Sequence, residues 1–482
     1  MLGLKTLCDN RPPGKGESKE MSNPIENRAA SPGDREGNFP SPMPRPRSPL
    51  RTAGTVALCF ALAASLCIQT RYAAVALGLH PSPQSQSPNM PSPARPGDTG
   101  RSLSVTAKYC SEIVASRSPS NPDGRTSTNL ICDDEWFFAN PRIYNHQLAT
   151  SCAVLSAVCN SESQFYGSIE GSAPYAEETL ESLGFSNVCT QSYALRSHIF
   201  DQIGALFTGS HDVAAYTFAS KNLTSPDGSR KTTLVFVGIR GSYGIEWLSN
   251  LKLADEDHPD HTGFKAAENE IAEMLKRYLE EQGADADHTT MLITGHSRGA
   301  SIANLLAADL DNRSTRNDEN ALVNADSLYA YTFAAPGSTR SDGRSDDEYK
   351  NIFNIVNQSD IVTQLPLSTW GYGRYGTNVA LPDASSADFT RSFARMQDAF
   401  RRNTGFADPC DSAAAATLAT FSENMGRFFP TPDDVLNPAN AIAAAQSLAQ
   451  IDVAFALSSH CPDTYIAWMQ STDSDDLTFW DW

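Results

Sequence analysis

The stretch MLITGHSRGASIANLLAADL, Met291 to Leu310, decides how the chain is read, because an apolar run meets Gly295-His296-Ser297-Arg298-Gly299 and then continues at helical spacing. Met291 to Thr294 read as a short buried strand, and Ile302, Leu305, Leu306 and Leu310 mark one face of a helix that starts at the serine. The chain must turn from strand to helix within a few residues, which crowds the backbone at Ser297. Gly295 and Gly299 are small enough for that turn, and Ala300 and Ser301 keep the helix start slim, so the hydroxyl is left standing at the strand end. The helix start adds free N–H groups and partial positive charge beside it. A serine in an ordinary turn gives the same five letters; the strand before and the helix after are what argue for a nucleophile.

A serine hydroxyl is a poor nucleophile near neutral pH and needs a base within hydrogen-bond reach, with an orienting group behind that base. In α/β-hydrolases these follow in the order serine, acid, histidine. Of the nine histidines only His460 follows Ser297, in SSHCPDTY, a segment that reads as a loop tip between an apolar helix and Ile466 to Met469. Acids are plentiful, so position selects among them. Asp360 closely follows the apolar run Asn351 to Val356 and projects from the same sheet edge as Ser297. Asp309 and Asp311 lie near the far end of the nucleophile helix, and Asp383 and Asp388 sit in a polar loop. The oxyanion donors expected are the backbone N–H of Arg298 and, after the strand Thr232 to Ile239 and its Arg240-Gly241 turn, Ser242.

Working outward, Tyr144 to Asn160, Glu177 to Leu183 and Phe264 to Gln282 are expected as helices. Asp212 to Phe218 and Thr232 to Ile239 are expected as strands joined by the turn SPDGSR, and Ser327 to Phe333 and Asn351 to Val356 as further strands. Strands alternating with helices imply an α/β fold, a mostly parallel sheet with helices on both faces, which the serine–acid–histidine order expected above would make an α/β-hydrolase fold. Ala384 to Ala456 departs from the alternation: it is alanine-rich and helical in pattern, a helical insertion between Asp360 and His460 that either caps the sheet edge or completes the core.

The 482 residues carry a formal charge of −19, which argues against nucleic acid as a partner, since a polyanion is repelled. Residues 1–52 lack hydrophobic periodicity and read as a disordered or mis-annotated extension, with Met43 an alternative start. Residues 53–76 hold an uncharged run, Ala53 to Ile68, behind Arg45, Arg47 and Arg51 and ahead of Ala74-Val75-Ala76. That is the layout of a secretory signal, and an uncleaved membrane anchor fits it as well. Either way the rest of the chain is expected outside the membrane, secreted or anchored at its outer face. Residues 77–108 read as a Pro/Ser linker, and 109–482 as the folded domain. Seven cysteines follow the signal, an odd number that leaves at least one thiol unpaired. Cys152 and Cys159 share one expected helix, about 10 Å apart, too far to bridge. A Cys410–Cys461 bridge would tie the insertion to the site.

In order along the chain, IRGS at 239–242, HTGF at 261–264, GHSRG at 295–299, TFAAPGS at 332–338, NQSDIVTQLP at 357–366 and HCPDTY at 460–465 together resemble the fungal-type class 3 lipases. The resemblance runs from about Tyr144 to Met469. It implies that Ser297, Asp360 and His460 form a catalytic triad, that Ser242 and Arg298 supply oxyanion donors, and that Tyr243 to Leu253, with Trp247 and Leu248, forms a mobile lipid-facing lid. Three features depart from the family pattern: Ile239 stands where Phe is usual, Arg298 where a smaller or apolar residue is common, and about a hundred residues separate Asp360 from His460. The function implied is an extracellular serine ester hydrolase, a lipase acting on acylglycerols or related lipid esters, with lipid-surface contact and no metal or organic cofactor. A phospholipase or acyl transferase is indistinguishable at this level, and a non-catalytic surface binding protein is the rival from another class. The cluster DEDHPDH, Asp255 to His261, reads as a solvated acidic loop in preference to a metal site. Asn222 and Asn312 head glycosylation acceptor triplets. Oligomeric state is not legible.

Overall fold

The computed structural model describes residues 102–481 apart from 162–174, 192–214, 242–257, 317, 386, 409–411, 432–433, 435–436 and 449–457. Its strands are β1 (Ser102–Cys110), β2 (Arg125–Asp133), β3 (Ser186–Gln191), β4 (Tyr216–Thr224), β5 (Lys231–Ile239), β6 (Thr289–His296), β7 (Leu328–Phe333), β8 (Ile352–Val356), β9 (Thr377–Ala380) and β10 (Thr478–Trp480). The helices are α1 (Glu112–Arg117), α2 (His146–Ser161), α3 (Tyr175–Ser182), α4 (Thr262–Gln282), α5 (Arg298–Thr315), α6 (Phe389–Thr404), α7 (Ser412–Phe428), α8 (Pro438–Leu448) and α9 (Pro462–Ser471). None of the helices is long and apolar enough to cross a membrane, among the described residues.

Strands β3 to β10 form one sheet in sequence order, parallel from β5 through β9 and antiparallel at both edges. Each central strand is apolar on both faces, and successive side chains enter opposite layers. In β5, Leu234 and Phe236 join one core while Val235, Val237 and Ile239 join the other. In β7, Tyr329, Tyr331 and Phe333 alternate in the same way with Leu328 and Ala330. Helices α4 and α5 cover one face, and α2, α6 and α9 cover the other, the layering of an α/β-hydrolase. Ile302, Leu305, Leu306 and Leu310 of α5 all face the sheet.

The structure corrects two expectations and decides between the alternatives of a third. The segment 77–108 is not linker throughout: Ser102–Cys110 is a strand, paired antiparallel with β2 and burying Ala107 and Tyr109. Strand β4 begins at Tyr216 and runs to Thr224, in place of Asp212 to Phe218; its polar Ser220, Lys221 and Asn222 hide the strand pattern, yet it pairs with β5 along its whole length. The insertion completes the core, since Phe393, Met396 and Phe400 of α6 and Leu418 and Phe421 of α7 pack in one cluster with Trp468 of α9. Residues 1–101, including the expected signal or anchor, lie outside the described residues, as do the expected lid and Cys410. Cys152 and Cys159 do share α2; Cys132 and Cys152 are buried free thiols, and Cys189 is disulfide-bonded.

Candidate active site

At the end of β6 the backbone of Ser297 takes φ 59 and ψ −129, a region that side chains rarely occupy, and α5 starts at the next residue. The neighbouring glycines explain how the turn fits. A Cβ on Gly299 would stand 2.3 Å from the carbonyl oxygen of Ile239, and one on Gly295 would stand 2.6 Å from that of Gly299. Gly241, at the end of β5, presses equally close to the His296 carbonyl. The Ser297 N–H donates to Phe333 O at 2.9 Å, which ties the elbow to β7.

Three chain segments bring Ser297, His460 and Asp360 together. The hydroxyl oxygen of Ser297 lies 2.9 Å from His460 Nε2, and His460 Nδ1 lies 2.8 Å from Asp360 Oδ2. A carboxylate only accepts, so Nδ1 carries the hydrogen and Nε2 is left to accept the serine proton. Asp360 follows β8 and is wholly buried; its Oδ1 accepts the Val362 N–H at 2.9 Å, and Oδ2 also accepts the Tyr465 hydroxyl at 2.8 Å. His460 ends a helical stretch, described at 458–460, immediately before α9, and is not at the loop tip expected. Its carbonyl accepts from His296 Nε2 at 2.8 Å, and burial holds the His296 imidazole well below the usual histidine range, so that ring is a neutral strut.

Arg298 opens α5, so its backbone N–H is among the helix's first, pointing toward the serine end. Ser242, the other expected oxyanion donor, lies outside the described residues. The Gly241 N–H is already held by Asn160 Oδ1 at 3.0 Å.

The acidic loop is corrected at its last residue only, since His258 and Pro259 are exposed and residues 255–257 lie outside the described ones. Among its described residues, His261 is wholly buried, its ring stacked on Phe264 with centroids 4.0 Å apart. The cause is backbone pairing: the His261 N–H donates to Ser338 O, and Asp260 bridges Thr339, pulling the segment onto the loop after β7. Burial pushes the His261 imidazole down to about 3. No group of three or more His, Cys, Asp or Glu able to hold a metal ion occurs among the described residues.

Sequence reasoning did not single out Tyr465, His296 or Arg374 for the site. Tyr465 carried a signal, since it lies little more than one helical turn beyond His460. A lone arginine in YGRYG, Tyr372 to Gly376, carried none.

Residues 236–370 match the family described as lipase (class 3). The chain is 21% identical to the chloroplastic phospholipase A1-Igamma1 of Arabidopsis thaliana, over 38% of this chain and 47% of that protein. It is 23% identical to the secreted mono- and diacylglycerol lipase A of Penicillium cyclopium, over 40% of this chain and 64% of that one. The chain thus spans between about half and two thirds of the length of these curated relatives. The solved triacylglyceride lipase of Rhizomucor miehei aligns at 19% identity and a TM-score of 0.34, over 49% of this chain and 80% of that one.

Proposed function

We propose that this chain, which belongs to the fungal-type class 3 lipase family, is an extracellular serine hydrolase of lipid esters, with acylglycerols as the substrate class. The single observation that carries the reading is the continuous hydrogen-bonded path Ser297–His460–Asp360 at the end of a strained strand-to-helix turn. His460 takes the Ser297 proton as the oxygen attacks the ester carbonyl, and Asp360 holds the imidazole in register and stabilises its cation. The backbone N–H of Arg298 and a donor from Ser242 hold the developing oxyanion. His460 then protonates the leaving alcohol, and water, activated by the same imidazole, releases the fatty acid from the acyl-enzyme. No step requires a metal or organic cofactor. The basic, apolar N-terminal segment supports secretion or anchoring at the outer membrane face, and Tyr243 to Leu253 is the segment proposed to meet the lipid surface. Glycerophospholipids are a second reading, favoured by the similarity to a plant phospholipase A1.

The test is turnover of short and long acyl p-nitrophenyl esters, diacylglycerol and phosphatidylcholine by the full chain beside Ser297→Ala. Long-chain turnover that falls at least about 1,000-fold in the variant is expected. Phosphatidylcholine outrunning diacylglycerol would select the second reading. A folded protein with no serine-dependent turnover on any of these esters would leave the hydrolase fold serving as a binding module.

A further inference from the structure

Arg374 lies in the segment ahead of β9 and is among the largest fully buried side chains of the described molecule. A guanidinium withdrawn from water must have its donors partnered, or the burial is strongly destabilising. Its Nε donates to Ala335 O at 2.7 Å, Nη1 to Asn378 Oδ1 at 3.3 Å, and Nη2 to Thr363 O. The three acceptors belong to three segments that meet at Arg374. Ala335 lies in the loop leaving β7, next to Ala334 with its φ of 57 and two residues after Phe333, whose carbonyl holds Ser297. Thr363 lies in the short turn Ile361–Gln364 that Asp360 caps, and its hydroxyl donates to Asp360 O at 2.8 Å. Asn378 lies in β9. Burial pushes the guanidinium down to about 10, while Tyr465 and Asp360 act in the opposite direction, so it remains a cation at neutral pH.

We propose that Arg374 is a positioning residue for the reaction, pinning the Asp360 turn to the loop beside the Ser297 elbow. The proposal rests on the reading of Ser297, His460 and Asp360 as the reacting set. The fork fixes where Asp360 stands, so losing it lowers kcat and leaves KM nearly unchanged.

The experiment compares R374K, R374M and Ser297→Ala with the parent full chain on a short p-nitrophenyl ester, recording kcat and KM. R374K keeps the charge and loses the planar fork; its kcat is expected to fall about tenfold. R374M loses both; its kcat is expected to fall about 100-fold, with KM within about twofold of the parent. Parent kcat in a folded R374M overturns the proposal, as does a KM that rises in step with the loss of kcat, which is the mark of a general loosening of the site. Should R374M not fold, Asn378→Ala decides: a several-fold drop in kcat at constant KM is expected, and parent kcat overturns the pinning role. Turnover retained by Ser297→Ala overturns the reading of the reacting set, whereas parent-like arginine variants beside an inactive Ser297→Ala overturn only the inference about Arg374.

Discussion

Single glycines set what the elbow tolerates. The Cβ that Gly299→Ala adds would lie 2.3 Å from Ile239 O and 2.6 Å from the Arg240 carbonyl carbon, both backbone atoms with no rotamer to yield. The substitution is therefore expected to lower stability by about 1–3 kcal/mol and to displace Ser297, cutting turnover sharply. Urea unfolding and ester hydrolysis read the two effects separately, and a variant matching the parent in both would mean that the backbone of β5 shifts freely. At Ser297 itself the positive φ is held from outside, by the Phe333 carbonyl and the start of α5.

At the scale of elements, the join between α5 and β8 holds a buried acid. Asp311, in the last turns of α5, accepts from Asn351 Nδ2 at 3.0 Å with one oxygen, and its other oxygen has no partner. Burial pushes its carboxyl from 3.8 up to about 8. The folded chain holds this proton over a range in which the unfolded chain has released it. Its contribution to stability is therefore fully present below about pH 4 and is lost as pH rises through about 8. Asp311→Asn keeps the acceptor and removes the titration. Its melting temperature is expected to match the parent near pH 4 and to exceed it by several degrees at pH 8; a constant difference across that range would show that Asp311 does not titrate there. The sheet itself was legible in outline because β5, β6, β7 and β8 are continuous apolar runs, whereas β4 was misplaced because its pairing with β5 outweighs its polar composition.

Across the whole molecule, the N-terminal hairpin is joined to the helix that follows His460. Tyr109 of β1 donates to Asp463 Oδ1 and Ser111 to Oδ2, both at 2.9 Å, in a buried pocket spanning 354 residues of chain. Burial pushes the Asp463 carboxyl up to about 6. Tyr109→Phe leaves that carboxyl short of a donor where water does not reach, and is expected to lower stability by about 1–3 kcal/mol. Thermal unfolding at pH 7 reads the loss, and an unchanged melting point would mean that the hairpin contributes nothing to holding α9. The hairpin and α9 both lie outside residues 236–370, so these bonds join two parts of the chain beyond the stretch that matches the family.

Much of the site could be read along the chain because its signals are local or ordinal. The elbow follows from small residues between a strand run and a helix run, and His460 from being the only histidine after Ser297. Asp360 follows from standing just beyond an apolar strand. What only the tertiary structure decided is which distant groups meet: Tyr465 on Asp360, Arg374 across three segments, Tyr109 on Asp463, and His261 drawn out of an acidic loop into the interior. The physical reason is that periodicity reports the face a residue presents within its own element. The partner a buried polar group finds depends on which elements pack against each other, and no local pattern records that.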